Sequence, residues 1–292
     1  MVSHGYQVMV IQCFFNIICM DISIIIVNYN SGELLFNCLQ SIFHNVKEVD
    51  YEIVVVDNMS SDSSFSRCEE LKAPRLQLIQ SGANLGFSKA NNIGAEHAKG
   101  NILHFLNPDT RVDSSIVDDF HTVIADYNKH IRRVYVNPLQ DRDGTAYYER
   151  NALPDTQNWL RYYFCRSKTK WYYIGATVII TADTFKKIGK WNERFFMYGE
   201  DADLFCRINK ENIPIVELPS VIFHYGGGSS EKSFSSINRE ILIQKGIRLY
   251  RSSNKISWMN YWTWQLLVIS SFWRRPRRMW WQLKALYYSF RR

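Results

Sequence analysis

A short apolar strand that stops at Asn107-Pro108-Asp109 constrains this chain more than any other stretch. Lys99-Gly100-Asn101 leads into Ile102-Leu103-His104-Phe105-Leu106, and Thr110 follows the acidic residue. Proline cannot continue a central ladder, so Pro108 marks the strand's end. The strand therefore delivers Asp109 to the rim of a sheet. In an open α/β sheet, ligands bind at the rim formed by the carboxyl ends of the strands. A carboxylate held there suits a hard divalent cation that bridges phosphate oxygens.

The residues upstream supply the rest of such a sheet. Ile22 to Val27 is a β-branched run, the pattern of a buried parallel strand, and Asn28-Tyr29-Asn30 follows it. Ser31 can cap a helix, and Leu34, Leu35, Cys38, Leu39, Ile42 and Phe43 repeat at helical spacing. Glu52 to Asp57 is a second buried strand that ends in a carboxylate, and Asn58-Met59-Ser60-Ser61-Asp62 is a turn and cap cluster. Leu76 to Ile79 predicts a third strand, and Asn84 to Gly100 a loop followed by a helix. Strands alternating with helices imply right-handed crossovers and a mainly parallel sheet flanked by helices. The style is nucleotide-binding, yet neither G-x-G-x-x-G nor G-x-x-x-x-G-K-[ST] occurs. Both common phosphate loops are therefore excluded.

Downstream of Asp109 the pattern reads as the acceptor half of a site. A helix is expected through Ile116, Phe120, Val123, Ile124 and Tyr127, then a strand from Arg133 to Val136. Residues 138–172 read as irregular, with turn signals at Asp143-Gly144 and Leu153-Pro154, and suit a substrate-facing loop. Ile174 to Ile180 predicts a strand, and Thr181 caps a short helix that Gly189 closes. Glu200, Asp201 and Asp203 open a helix running to about Glu211, whose free amides and dipole favour ionised carboxylates. Short strands are expected at Pro214 to Leu218 and Val221 to Phe223. His224-Tyr225-Gly226-Gly227-Gly228-Ser229-Ser230 follows, and its glycines allow close backbone approach to a ligand. Each signal also has a plain structural meaning: a turn or helix cap for Asp57, a turn for Asn-Pro, helix-terminal charge for Glu200 and Asp201, a structural histidine for His224, a flexible loop for the glycines. Their order and spacing together point to chemistry.

With those segments in view, the chain resembles a family-2 glycosyltransferase of the GT-A fold, most closely the bacterial rhamnosyltransferase branch. The similarity runs through Ile22 to Asn30, Ile53 to Asp62, Asn84 to Asp109, Gly189 to Leu204 and His224 to Ser229. The resemblance implies an α/β, Rossmann-like, mainly parallel GT-A sheet flanked by helices, and the residues beyond it add a C-terminal helical tail expected to associate with membrane. Residues 1–20 would be an N-terminal extension, 21–235 the transferase domain and 236–292 a basic aromatic helical region. Asn28, Tyr29 and Asn30 would lie against the nucleotide, and Asp57 would hydrogen-bond the base. Asn84, Gly86, Phe87 and Asn91 would line the nucleotide pocket. Asn107-Pro108-Asp109 stands where the family carries a D-x-D motif, with Asn107 in place of the first Asp. Asp109 would then be the charged ligand of Mg²⁺ or Mn²⁺, with His224 a second metal or pyrophosphate ligand. Asp201 would be the base, supported by Glu200 and Asp203.

The chemistry agrees with those roles. A nucleoside diphosphate leaving group gains negative charge as the glycosidic bond breaks, and a cation and backbone amides stabilise it. The acceptor hydroxyl needs a carboxylate to take its proton. One base and one direct displacement invert the anomeric carbon, whereas a glycosidase would need paired carboxylates flanking the bond. The expected donor is dTDP-rhamnose, or a UDP-sugar; the expected acceptor is a glycan or lipid-linked glycan of a surface polysaccharide. A non-catalytic membrane-surface module of the same fold is the reading from a different class.

Composition bears on the two ends. Residues 241–292 hold 11 Lys/Arg and no Asp/Glu, and the 240 residues before them hold 24 against 28. Residues 256–273 carry no charge and include Trp258, Trp262, Trp264 and Trp273; Arg274, Arg275, Arg277, Arg278, Trp280 and Trp281 follow. Eighteen residues is the lower limit for a membrane span, and Asn260, Thr263 and Gln265 weaken that reading. Trp and Arg together suit a headgroup interface, so the tail is expected on the inner face of the cell membrane, in the cytoplasm. Nucleic acid is not expected as a partner, because no recognised binding fold accompanies the charge. The apolar run Val8 to Met20 is too short to span a bilayer and lacks the flanks of a signal peptide. The six cysteines form no C-x-x-C pair, which favours reduced thiols over a disulfide framework or a zinc site.

Overall fold

The computed structural model describes residues 20–226, 236–272 and 276–291. The expected N-terminal extension, apart from Met20, and Gly227 to Ser230 lie outside the described residues. The first half alternates strand and helix: β1 (Ile22–Asn28), α1 (Glu33–Asn45), β2 (Tyr51–Asp57), α2 (Ser64–Glu69), β3 (Leu76–Gln80), α3 (Phe87–His97) and β4 (Ile102–Leu106). After β5 (Thr110–Arg111), α4 (Ile116–Asn128) and β6 (Val134–Val136) comes an excursion. It holds β7 (Leu139–Gln140), β8 (Ala146–Tyr147), β9 (Arg150–Ala152), α5 (Thr156–Phe164) and β10 (Trp171–Tyr173). The chain returns through β11 (Thr177–Thr181), α6 (Ala182–Lys187), α7 (Glu200–Lys210), β12 (Ile215–Glu217) and β13 (Ile222–His224). Among the described residues three helices follow: α8 (Ser236–Ser253), α9 (Trp258–Ser270) and α10 (Pro276–Arg291).

Seven strands form one sheet in the order β12-β6-β11-β4-β1-β2-β3. The pairs β1/β2, β1/β4, β2/β3 and β6/β12 are parallel, and β11 runs antiparallel to both its neighbours. The sheet is therefore mainly parallel, as expected, with one reversed strand. Ile22, Ile24, Ile25 and Ile26 of β1 are at most 1% exposed, which identifies a central strand covered on both faces. Successive side chains alternate. Ile24 and Ile26 pack with Leu35, Cys38, Leu39 and Ile42 of α1, while Ile25 packs with Phe105, Phe185, Leu204 and Phe205 on the other face. A second sheet, β5-β13-β7-β8, stands at the carboxyl end of β4.

Four local expectations are corrected. Ser31 does not cap α1: its hydroxyl is buried without a partner, and the Asp62 carboxylate accepts the Gly32 N–H at 2.9 Å. The cap comes from the adjoining loop because β1 and β2 end side by side. Residues 138–172 are not irregular throughout. Asp155 caps α5 by accepting the Asn158 N–H at 2.8 Å, a start signal that Leu153-Pro154 disguises as a turn. The strand expected from Ile174 begins at Thr177, and the one expected from Val221 to Phe223 runs from Ile222 to His224. Among the described residues no helix is long and apolar enough to cross a membrane. Cys38, Cys68, Cys165 and Cys206 are free thiols.

Candidate active site

The turn after β4 is held rigidly. The Asn107 N–H donates to the Ala176 carbonyl at 3.0 Å, and the Asn107 carbonyl accepts from the Thr110 hydroxyl at 2.7 Å. β5 then pairs antiparallel with β13, setting His224 opposite Thr110. That pairing brings together residues 115 positions apart in sequence: His224 Nε2 lies 3.4 Å from Asp109 Oδ1, with their side chains 12% and 8% exposed. The Tyr225 N–H donates to the Asp109 carbonyl at 2.9 Å and locks the pair. Among the described residues no three His, Cys, Asp or Glu side chains gather to cage a metal. One carboxylate and one imidazole fit a different arrangement, in which a divalent cation is shared with substrate phosphates.

α7 opens on the other acidic group. Glu200 is 8% exposed and keeps one carboxylate oxygen without a hydrogen-bond partner. Asp201 Oδ1 accepts the Ala202 N–H at 2.7 Å. Burial raises both carboxyls above their ordinary range; the Asp201 charge adds to this at Glu200, and the Glu149 charge adds to it at Asp201. Asp203 is placed differently. It is 2% exposed, accepts from Arg207 Nε and from Asn254 Nδ2 at 2.9 and 3.0 Å, and does not line the cavity described below. Its carboxylate ties α7 to the turn that ends α8.

The residues expected to hold the nucleotide gather around the carboxyl ends of β1 and β2. Asn28 lies opposite Asp57 in the register. Asp57 Oδ1 accepts from Asn28 Nδ2 at 2.7 Å and from the Ser60 hydroxyl at 2.6 Å, and Oδ2 accepts the Ser60 N–H at 3.0 Å. Asn30 Oδ1 accepts the Ser61 N–H at 2.7 Å, and Tyr29 is half-buried beside it. Asn84 is exposed at the rim and accepts from Asn58 Nδ2 at 3.0 Å. Gly86 has φ +82°, and a Cβ there would lie 2.4 Å from the Phe196 carbonyl, so any side chain would prise α3 from the loop that leads into α7. Asn91 faces inward, 2% exposed, and its amide donates to the Phe87 carbonyl.

A cavity of about 980 Å³ joins part of this set. Phe87, Asn107, Asp109, Glu200, Asp201 and His224 line it. Asn28, Tyr29, Asn30, Asp57, Asn84, Gly86, Asn91 and Asp203 do not; the first six surround the adjoining strand ends. Three contributors escaped the sequence reading. Glu149 lines the cavity, half-buried, close enough for its charge to act on Asp201 and His224 to act on it. It sits in the excursion that carries no regular pattern. Asn58, 3% exposed, accepts the Leu85 N–H at 2.8 Å and splices the cradle loops. The aromatic wall of Trp159, Tyr162, Trp171 and Tyr172 belongs to the same excursion.

The chain is similar to several known proteins. A hexosyltransferase of low-salt glycan biosynthesis from Haloferax volcanii, Agl10, is 30% identical over 210 residues, 67% of this chain and 64% of its own. The chain thus spans just under two thirds of that relative's length. An N-acetylglucosaminyl-diphospho-decaprenol L-rhamnosyltransferase from Mycobacterium tuberculosis is 23% identical over 246 residues, covering 73% of this chain and 78% of its own. The fold matches Staphylococcus aureus TarS 1-349 in complex with UDP-GlcNAc, with a TM-score of 0.56, 16% identity, and coverage of 86% and 71%. Residues 23–188, more than half the chain, match the sequence profile described as Glycosyl transferase family 2. That match runs from β1 through α6: the chain belongs to glycosyl transferase family 2.

Proposed function

We propose that the chain is an inverting hexosyltransferase that moves L-rhamnose from dTDP-rhamnose to a hydroxyl of a lipid-linked or growing surface glycan. The observation that supports this most is the meeting of Asp109 and His224 with Glu200 and Asp201 on one cavity at the carboxyl end of β4. Asp201 takes the acceptor's proton as its oxygen attacks the anomeric carbon. The glycosidic C–O bond breaks, the nucleoside diphosphate leaves, and the single displacement inverts the centre. Glu200, kept neutral by burial, leaves the negative charge of the pair on Asp201. A divalent cation held by Asp109 and His224 would neutralise charge on the leaving diphosphate. Asn28, Asn30, Asp57, Asn58, Asn84 and Gly86 hold the nucleoside, and Asn107 and Phe87 border its diphosphate. Residues 21–235 carry this chemistry, and residues 236–292 lie on the cytoplasmic face of a membrane. The name of the mycobacterial relative supports the rhamnosyl assignment. A UDP-hexose is the second reading, favoured by the UDP-GlcNAc bound to the Staphylococcus aureus neighbour.

A thermal-shift panel of dTDP-rhamnose and UDP-hexoses, with Mg²⁺, Mn²⁺ or EDTA, tests donor and cation together. A donor at about 100 times its dissociation constant stabilises the fold by roughly 2.7 kcal/mol. A shift with dTDP-rhamnose that EDTA abolishes is expected. A shift with a UDP-sugar alone overturns the rhamnosyl assignment, and no shift with any donor favours a non-catalytic module.

A further inference from the structure

The cavity continues beyond Asp201. Its far wall combines α5, through Trp159, Tyr162 and Tyr163, with α9, through Trp264 and Val268. Thr156 joins the two helices: its N–H donates to Asn260 Oδ1 at 2.9 Å and its hydroxyl to the Asn260 carbonyl at 2.8 Å. Tyr162 and Tyr163 are 37% and 55% exposed, so this wall reaches the molecular surface. Uncovered apolar side chains stand just outside it. Leu160 and Phe164 project from α5, and Met259, Trp262 and Leu266 from α9, with Phe164 and Met259 at 83% and 80% exposure. On α5 the exposed Leu160 and Phe164 lie about a third of a turn from the cavity residues, and on α9 the exposed residues occupy the side of the helix opposite Trp264 and Val268, so each helix divides the cavity from the surface. Exposed apolar patches of this kind mark contact with a protein or a membrane.

Charge decides between those partners. Residues 156–171 hold four Lys/Arg and no Asp/Glu, and residues 241–292 hold eleven and none. Basic charge in the same stretches of sequence as an apolar, tryptophan-bearing face complements anionic headgroups over hydrocarbon. We infer that α5 and α9 are the two lips of an acceptor entrance resting on an anionic bilayer, and that the acceptor is an amphiphile. Its hydroxyl-bearing end reaches Asp201 past the aromatic wall, and its apolar chain stays in the lipid. The Asp201 end of this route depends on the transferase reading; the lipid contact does not.

Co-sedimentation of the full chain with vesicles of phosphatidylcholine alone, or with about 30% phosphatidylglycerol, tests the contact. Binding to the mixed vesicles is expected, weakened about tenfold in Phe164→Ser and in Met259→Ser. Binding by Phe164→Ser equal to that of the unaltered chain takes α5 off the surface and overturns the proposal. So does failure to bind either vesicle, or a vesicle-free dimer that Met259→Ser dissociates, which assigns the face to a second copy. Dodecyl phosphate, below its micelle concentration, probes the channel by tryptophan fluorescence. Its affinity is expected to fall about tenfold in Tyr162→Ala, and an unchanged affinity overturns the amphiphile assignment. Donor-induced thermal shifts separate the two readings. A missing shift in the unaltered chain strikes the transferase reading while the vesicle result stands, and a retained shift in the variants shows that they fold.

Discussion

Asp201 bears the proposed proton transfer, so it is the residue to remove first. Asp201→Asn is expected to lower kcat by about 10²–10⁴ while the donor's thermal shift survives. An intact kcat would assign the base elsewhere. Because burial raises the Asp201 carboxyl, kcat/KM should fall with acid already above the ordinary carboxylate range. Glu149 contributes to that rise by its charge. Removing a negative neighbour makes a carboxyl easier to ionise. Glu149→Gln therefore should move the acid limb to lower pH, which a pH–rate profile reads directly; an unmoved limb would separate the two groups. At this scale the sequence was partly legible. Asp109, Asp201 and His224 each follow or open a regular element, so the pattern of elements flags them. Glu149 belongs to a stretch whose pairing partners, such as Tyr173 opposite Arg150, lie far along the chain, and nothing local announces it.

Elements decide how those carboxylates are aimed. α8 crosses the loop before α7 at Gly246, where a Cβ would lie 2.0 Å from the Tyr198 carbonyl oxygen. Gly199, at φ +98°, meets Gly246 from the other side and starts α7 one residue before Glu200. Asn254 and Asp203 add a hydrogen bond along the same contact. α8 thus braces the turn that presents Glu200 and Asp201. Gly246→Ala must displace one of the two, and an error near 1 Å at reacting atoms costs about 10²-fold. A fall in kcat of that size is expected, with the donor's thermal shift unchanged; steady-state kinetics with kcat and KM measured separately decide it. Unaltered kcat would show that α8 only covers the site. The helices themselves were legible wherever apolar residues recur at helical spacing, as in α1 and α4. α5 was hidden because it buries only Asn158. Its aromatic residues face the cavity and the surface, so no core-facing stripe betrays it.

For the molecule as a whole, acid stability turns on the middle of the seven-stranded sheet. His104 of β4 is fully buried, with Nε2 3.0 Å from the Thr177 hydroxyl, and burial pushes its imidazole down to about 3. A histidine whose folded value is depressed lends stability above its ordinary value near 6.5 and loses it as pH falls toward the folded value. Glu200 and Asp201 act in the opposite sense. Their raised carboxyls stabilise the fold in acid and cease to do so as pH rises through their folded values. Between pH 6.5 and pH 4 the histidine and the two carboxyls therefore pull the urea midpoint of the full chain in opposite directions, and His104→Gln, by removing the histidine's share, should shift the slope toward greater stability in acid. An identical slope in the variant would place the acid-labile group elsewhere.

The α/β class, the three parallel strands that begin the sheet and the identity of the acidic residues follow from sequence alone. Apolar periodicity and strand-ending carboxylates are local properties, set by neighbours a few positions away. Which of those residues meet is another matter. Asp109 reaches His224 only because β5 pairs with β13, and the reversal of β11 brings Ala176 against Asn107. Tyr162 and Trp264 line one cavity, held together where Thr156 binds Asn260. These contacts join residues tens to more than a hundred positions apart. Their energies come from packing and hydrogen bonding that exist only once the sheet has formed.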